Sequence, residues 1–275
     1  MQLSLGFSPC PNDTFMFEPL VSKRINMQSL EFDIHMEDVE RLNRDAAVSR
    51  FDITKMSFNA FTGLSDRYQM LTSGSALGNN CGPLLIARKE FPLSGIGNLK
   101  IAIPGYNTTA WFLLKYAFPE VKDVKEMLFS DIENAVLKGE ADAGLIIHEN
   151  RFTYASKGLV KLADMGEIWE QSTGYPIPLG GIAVRRDLDD RIKEKINELV
   201  HRSIRYAFDH PGTGLPFIRA NAQEMDDKVM QAHIDLYVNK YSLDIGDEGR
   251  AAVFKLFKTV HPGTTEDVLS GLFVG

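Results

Sequence analysis

Ser8-Pro9-Cys10-Pro11-Asn12-Asp13-Thr14-Phe15 follows directly on the apolar run Leu3-Ser4-Leu5-Gly6-Phe7. The pair reads as a strand that stops at a rigid turn and opens into a helix. Pro9 and Pro11 fix φ and remove two backbone donors, and Asn12, Asp13 or Thr14 is suited to cap the helix that follows. A turn of this kind directs peptide N–H groups towards a crevice at the carboxyl end of a strand, where a small anion can sit.

Working outward, strand patterns alternate with helical ones, which predicts an α/β fold. Strands are expected at 3–7, 30–36 and 51–56, the last ending in Ser57-Phe58-Asn59-Ala60. A helix is expected at 15–24, kinked or split by Pro19. Asp38 is placed to cap the next helix, whose Val39, Leu42, Ala46 and Ala47 share one face. The middle of the chain repeats this plan. A strand at 100–103 runs into the turn Pro104-Gly105-Tyr106-Asn107-Thr108-Thr109 and a helix at 110–118. Ser130 and Glu133 have capping-box spacing, and a strand at 143–147 ends at His148. Asp52 and Asp142 stand at matching places before their strands, an architectural echo without residue-level repetition.

Pro83-Leu84-Leu85-Ile86-Ala87-Arg88 and Pro178-Leu179-Gly180-Gly181-Ile182-Ala183-Val184-Arg185 have one form: a proline or glycine entry, an apolar run, then a basic residue. As two parallel crossings around an insertion they predict two lobes joined by a double hinge. The large lobe would be 1–88 with 180–275, and the small lobe 89–179. The C-terminal part is helical, with an apolar stripe at Ile192, Ile196, Leu199, Val200 and Ile204 and further helices at 226–237 and 248–257. Two-lobed α/β proteins bind ligands beside strand carboxyl ends. The ends at 8–14, 55–57, 106–110 and His148 are expected to converge on one cleft.

Composition narrows the class. A chain of 275 residues with 44% hydrophobic residues can bury a full core. Its formal charge of −7 and lack of a basic run argue against nucleic acid as a partner and favour a small molecule. Two cysteines make no disulfide framework. The opening strand, without a basic leader or long apolar stretch, leads to the expectation of a cytoplasmic chain with no membrane segment.

The hydroxyls and N–H groups of Asn107-Thr108-Thr109-Ala110 cap a helix and can hold a carboxylate at the same time. His148, at the end of a buried-looking strand, can accept a proton near neutral pH. The other histidines, His35, His201, His210, His233 and His261, have no comparable setting in the sequence. Cys10 at a helix N-terminus is a weaker nucleophile candidate, since no base partner is recognisable. No pair of Cys or His has metal-ligand spacing. Gly78-Asn79-Asn80-Cys81-Gly82-Pro83 is not followed by the lysine and helix of a phosphate loop, and reads as a tight turn that uses asparagine's tolerance of left-handed backbone.

Together, the octet from Ser8 to Phe15, Asp38-Val39-Glu40 with Leu42-Asn43, Asp52-Ile53-Thr54-Lys55-Met56-Ser57, Gly82-Pro83, Pro104 to Ala110, and Gly144-Leu145-Ile146-Ile147-His148-Glu149-Asn150-Arg151-Phe152 resemble the 1,4-dihydroxy-6-naphthoate synthase family. The resemblance spans the first half of the chain and a little more. It implies a periplasmic-binding-protein type II fold and a step of the futalosine route to menaquinone, in which cyclic dehypoxanthine futalosine is split into 1,4-dihydroxy-6-naphthoate and dihydroxyacetone. It further implies a carbon–carbon lyase without metal or organic cofactor. The family's proton acceptor carries over onto His148, and its substrate contacts onto Lys55, Met56, Ser57, Thr109 and Ala110. Thr108, Asn43 and Asn12 follow as second-tier contacts.

Three other readings compete. Chorismate dehydratase shares the fold and pathway but lacks the Pro-Cys-Pro octet. A non-catalytic binding protein for a carboxylate or phosphonate-like solute would share the fold, but the expected lack of an export signal and the cleft histidine weigh against it. A sensing domain would need a DNA-binding module. The C-terminal helices are compatible with a homodimer.

Overall fold

The computed structural model describes residues 1–222 and 226–275. Its strands are β1 (Gln2–Phe7), β2 (Glu31–Met36), β3 (Ile53–Ser57), β4 (Tyr68–Met70), β5 (Ala76–Gly78), β6 (Leu84–Ala87), β7 (Ile101–Ile103), β8 (Val124–Glu126), β9 (Ala143–Ile146), β10 (Val160–Asp164) and β11 (Ile177–Arg185). The chain divides into one unit of Met1–Gly78 with Pro178–Gly275 and a second of Asn79–Ile177.

In the first unit a sheet runs in the order β2-β1-β3-β11-β4, with β5 on β11. β1 lies parallel to β2 and β3, whereas β11 lies antiparallel to β3 and β4. The apolar residues of the sequence fill it as alternation requires. Leu3, Leu5, Phe7, Ile53 and Ile182 are buried with Phe17 and Leu20 of the first helix and Ile196, Leu199, Val200 and Ile204 of helix Asp190–Asp209. These two helices pack together, and Ser203 Oγ donates to Met16 O at 2.6 Å across the contact. Burial of each such aliphatic or aromatic side chain stabilises by about 1.5–3 kcal/mol relative to exposure.

The second unit holds a sheet of order β10-β6-β9-β7-β8. β7 is parallel to β8 and β9, and β6 antiparallel to β9 and β10. Leu84, Ile86, Ala102, Ile132, Val136 and Ile146 form its core. Gly144 lets helix Ile132–Lys138 lie close on β9, for a Cβ there would sit 2.5 Å from Ile132 Cγ2.

Both units repeat one device that the sequence announced. Asp52 Oδ2, just before β3, accepts from Ser4 N at 2.8 Å, and Asp142 Oδ2, just before β9, accepts from Lys100 N at 2.9 Å. Each aspartate ties its own strand to a parallel neighbour.

Several expectations shift. The apolar run after Pro83 is no crossing: it is β6, hydrogen-bonded on both sides inside the second sheet. The chain enters the second unit after Gly78 and leaves it after Ile177, so the boundaries at 88/89 and 179/180 move to 78/79 and 177/178. The first helix is Pro11–Val21, with Cys10 at the N-cap position, Asn12, Asp13 and Thr14 in its first turn, and Pro19 inside an unsplit helix. Pro11 at the first helical position needs no acceptor for a donor it lacks, which favours the earlier start. Ser130 makes no capping box. It lies in a 3₁₀ turn, Phe129–Asp131, and Glu133 instead pairs with Lys157 at 2.6 Å.

Candidate functional site

Asp13 is the centre of the first unit's polar cluster. Its Oδ2 accepts from Ser8 N at 3.2 Å and Ser8 Oγ at 2.7 Å. Its Oδ1 accepts from Asn12 Nδ2 and from Lys55 Nζ, both at 2.8 Å. The Lys55 and Asp13 side chains are only 7% and 1% exposed. Neither ion could stay buried at modest cost without the other. The octet therefore prepares one cation, Lys55, at the carboxyl end of β3.

Asn43 and Ser57 form a second fixed pair beside it. Asn43 Nδ2 donates to Ser57 Oγ at 3.0 Å, and Asn43 Oδ1 accepts from Ser57 N at 2.9 Å. Asn43 is placed by helix Val39–Ala47, whose N-cap Asp38 accepts from Glu40 N and Arg41 N as the sequence predicted. Met56 between them is fully buried.

Asn12 has a partner that sequence reasoning passed over. His233, fully buried on helix Asp227–Tyr237, places Nε2 2.9 Å from Asn12 Oδ1. One sequence signal was available: Met230, Ile234 and Tyr237 put His233 on the apolar face of its helix, where a ring must find a partner. Asn12 and Asn43 thus engage their amides with Asp13, His233 and Ser57.

In the second unit, parallel strands β7 and β9 carry the remaining candidates at their carboxyl ends. Beyond β7, Thr108 caps helix Thr109–Ala117, its Oγ1 accepting from Trp111 N at 3.2 Å and donating to Gly105 O at 2.7 Å. Thr109 and Ala110 follow, both buried, in the turn whose N–H groups favour an anion. Beyond β9, His148 is half-buried at φ +56°, a left-handed conformation that costs a non-glycine residue energy. The Phe129 ring meets its imidazole edge-on at 4.9 Å. Three residues on, Arg151 grips the carbonyl of Gly82 and reaches Asp164 Oδ2 at 2.8 Å, anchoring the turn.

Cys10 and Cys81 are buried and not disulfide-bonded. Burial pushes the Cys81 thiol up to about 12, so it stays protonated and is no nucleophile. Asn80 adopts the left-handed backbone expected of its turn, at φ +56°. Among the described residues, no group of three or more His, Cys, Asp or Glu side chains could hold a metal ion. Nor is any helix among them long and apolar enough to cross a membrane.

Residues 3–262 match the family described as menaquinone biosynthesis. The chain belongs to that family. A 1,4-dihydroxy-6-naphthoate synthase of Thermus thermophilus is 48% identical over 93% of this chain and 92% of its own length. One of the same name from Streptomyces coelicolor is 39% identical over 91% of this chain and 90% of its own. Menaquinone-biosynthesis relatives so named are biosynthetic enzymes. Among solved structures, an Archaeoglobus fulgidus protein has a TM-score of 0.89 at 32% identity, covering 95% of this chain and 97% of its own. The periplasmic aliphatic sulphonate-binding protein of Escherichia coli has a TM-score of 0.64 at 11% identity, covering 98% and 91% respectively. At that identity the likeness shows the fold alone, the mixed α/β fold of periplasmic binding proteins.

Proposed function

We propose that the chain is a carbon–carbon lyase that converts cyclic dehypoxanthine futalosine to 1,4-dihydroxy-6-naphthoate and dihydroxyacetone. The observation that carries this reading is His148, at positive φ at the carboxyl end of β9, whose parallel neighbour β7 leads into helix Thr109–Ala117. The names of the relatives at 48% and 39% identity support the same product.

In this reaction a carbon–carbon bond breaks, a three-carbon carbonyl fragment leaves and the remaining ring becomes aromatic. Aromatisation supplies driving force, so the protein has to place a base, hold the substrate's carboxylate and keep water away. His148 takes the base's role. Lys55 and Ser57 of the first unit serve as substrate contacts, as do Thr109 and Ala110 of the second. Met56 joins them through its place in the chain, and Asn12, Asn43 and Thr108 support the contacts. On this reading the reaction uses neither metal nor organic cofactor and runs in the cytoplasm.

The test is incubation of the purified chain with cyclic dehypoxanthine futalosine, following naphthoate absorbance and dihydroxyacetone release. Appearance of both products is the expected result. Dehydration of chorismate without that turnover would move the chain to the sister reaction, and inertness towards both would favour a binding protein.

A further inference from the structure

Helix Asp227–Tyr237 turns Met230, Ile234 and Tyr237 into the core, and His233 with them. A ring at such a place costs free energy unless its polar atoms are engaged. Its Nε2 reaches Asn12 Oδ1 at 2.9 Å, across 221 residues of sequence. From there the contacts run in series: Asn12 Nδ2 to Asp13 Oδ1 at 2.8 Å, and Lys55 Nζ to the same oxygen at 2.8 Å.

The direction of every bond in this series is fixed by chemistry. A carboxylate paired with an ammonium only accepts, so Asn12 must turn its NH₂ towards Asp13. The amide oxygen then faces the imidazole, which must donate from Nε2. A flipped amide would set its oxygen against the carboxylate and leave Asp13 Oδ1 with Lys55 as its remaining donor in the series.

We propose that His233 is a positioning residue for Lys55. By holding the Asn12 amide in one orientation it fixes the Asp13 oxygen that carries the ammonium, and hence the place at which Lys55 meets a substrate anion. The proposal rests on the substrate-binding role given to Lys55 above. It ties a C-terminal helix to the N-terminal turn without bringing His233 to the reacting atoms. Ser8 still holds the other carboxylate oxygen, so the loss of His233 loosens Lys55 without releasing it.

His233→Phe keeps the ring's shape and removes the donor, and His233→Gln returns an N–H. Asn12→Leu cuts the same series without altering the core helix, and serves if His233→Phe does not fold. Two readouts decide: steady-state constants with cyclic dehypoxanthine futalosine, and the ¹⁵N-detected ammonium resonance of Lys55 in the unliganded chain. His233→Phe is expected to raise KM about tenfold with kcat within about threefold of the parent, and His233→Gln to recover most of the difference. The Lys55 resonance should broaden or vanish in His233→Phe and Asn12→Leu and persist in His233→Gln. A folded His233→Phe or Asn12→Leu with the parent's resonance would overturn the proposal, as would a KM loss that glutamine does not restore. A parent chain that leaves the substrate untouched would refute the proposed reaction, while the resonance still decides the positioning role.

Discussion

The turn after β1 and the turn after β9 both follow a strand with a parallel neighbour, yet they are built on opposite plans. After β1, Asp13 has a donor on every side, Asn12 and Lys55 are held by it, and the cluster is buried. After β9, His148 is half-buried in a left-handed backbone, three residues before an arginine that bonds Gly82 and Asp164. The first plan fixes a charge in advance, so that, on the proposed binding role of Lys55, little reorganisation is needed to meet an anion. The second accepts local strain to aim one side chain, as reactive residues often require. On the proposed function, holding a substrate anion and moving a proton make different demands on the backbone, and these two turns meet them in different ways.

The largest effect expected from breaking this contrast lies in the buried pair. Asp13→Ala leaves the Lys55 ammonium without its carboxylate and should destabilise the chain by about 3–5 kcal/mol, read by denaturant unfolding. A loss under about 1 kcal/mol would mean that water or another group already compensates Lys55.

Next comes the seat of the second turn. Gly82, whose carbonyl Arg151 grips, passes so close to Gly166 that a Cβ would lie 2.4 Å from its Cα. Backbone stands on both sides, so Gly82→Ala should cost about 1–3 kcal/mol. It should also lower kcat through the displaced clamp; a variant with the parent's stability would remove close packing from the account.

The strain at His148 is separable from its chemistry. His148→Gly and His148→Ala both lose the imidazole, but only glycine is at ease at φ +56°. The glycine variant should be more stable than the alanine variant by about 1 kcal/mol, with both slowed to a similar degree. Equal stabilities would mean that the turn carries no backbone strain.

The last effect appears only in alkali. Burial raises the Cys81 thiol from its usual 9.0 to about 12, so above pH 9 the unfolded chain loses a proton that the folded protein keeps. Stability from this source is whole below pH 9 and drains away towards pH 12, at most about 1.4 kcal/mol for each pH unit. Tyr68, raised from 10.0 to about 12 by its own burial, joins above pH 10. Cys81→Ala should flatten the melting-temperature decline between pH 9 and 10, and an unchanged slope would count against the protonated buried thiol.

Much of this was legible because it is local. Strand ends at Phe7, Ser57, Ile103 and Ile146 are written in apolar runs that meet polar turns, and the two aspartates before β3 and β9 carry their own register. Local signals failed where several outcomes share one pattern. An apolar run entered from proline fits both a crossing and an inner antiparallel strand, and β6 took the second course. The capping-box spacing at Ser130 lost to a 3₁₀ turn and to Lys157, which is remote in sequence. His233 was hidden for the same reason: its meaning lies in Asn12, which no window of sequence around it contains.

The proposed reaction stands on His148 as the base and Lys55 as part of the binding apparatus. The most direct measurement is single-turnover conversion of cyclic dehypoxanthine futalosine by the parent and by His148→Ala, with substrate binding measured alongside. The alanine variant is expected to bind substrate within a few-fold of the parent and to form naphthoate on the order of 100-fold or more slowly. An unchanged turnover rate in that variant would contradict this and remove His148 from the mechanism.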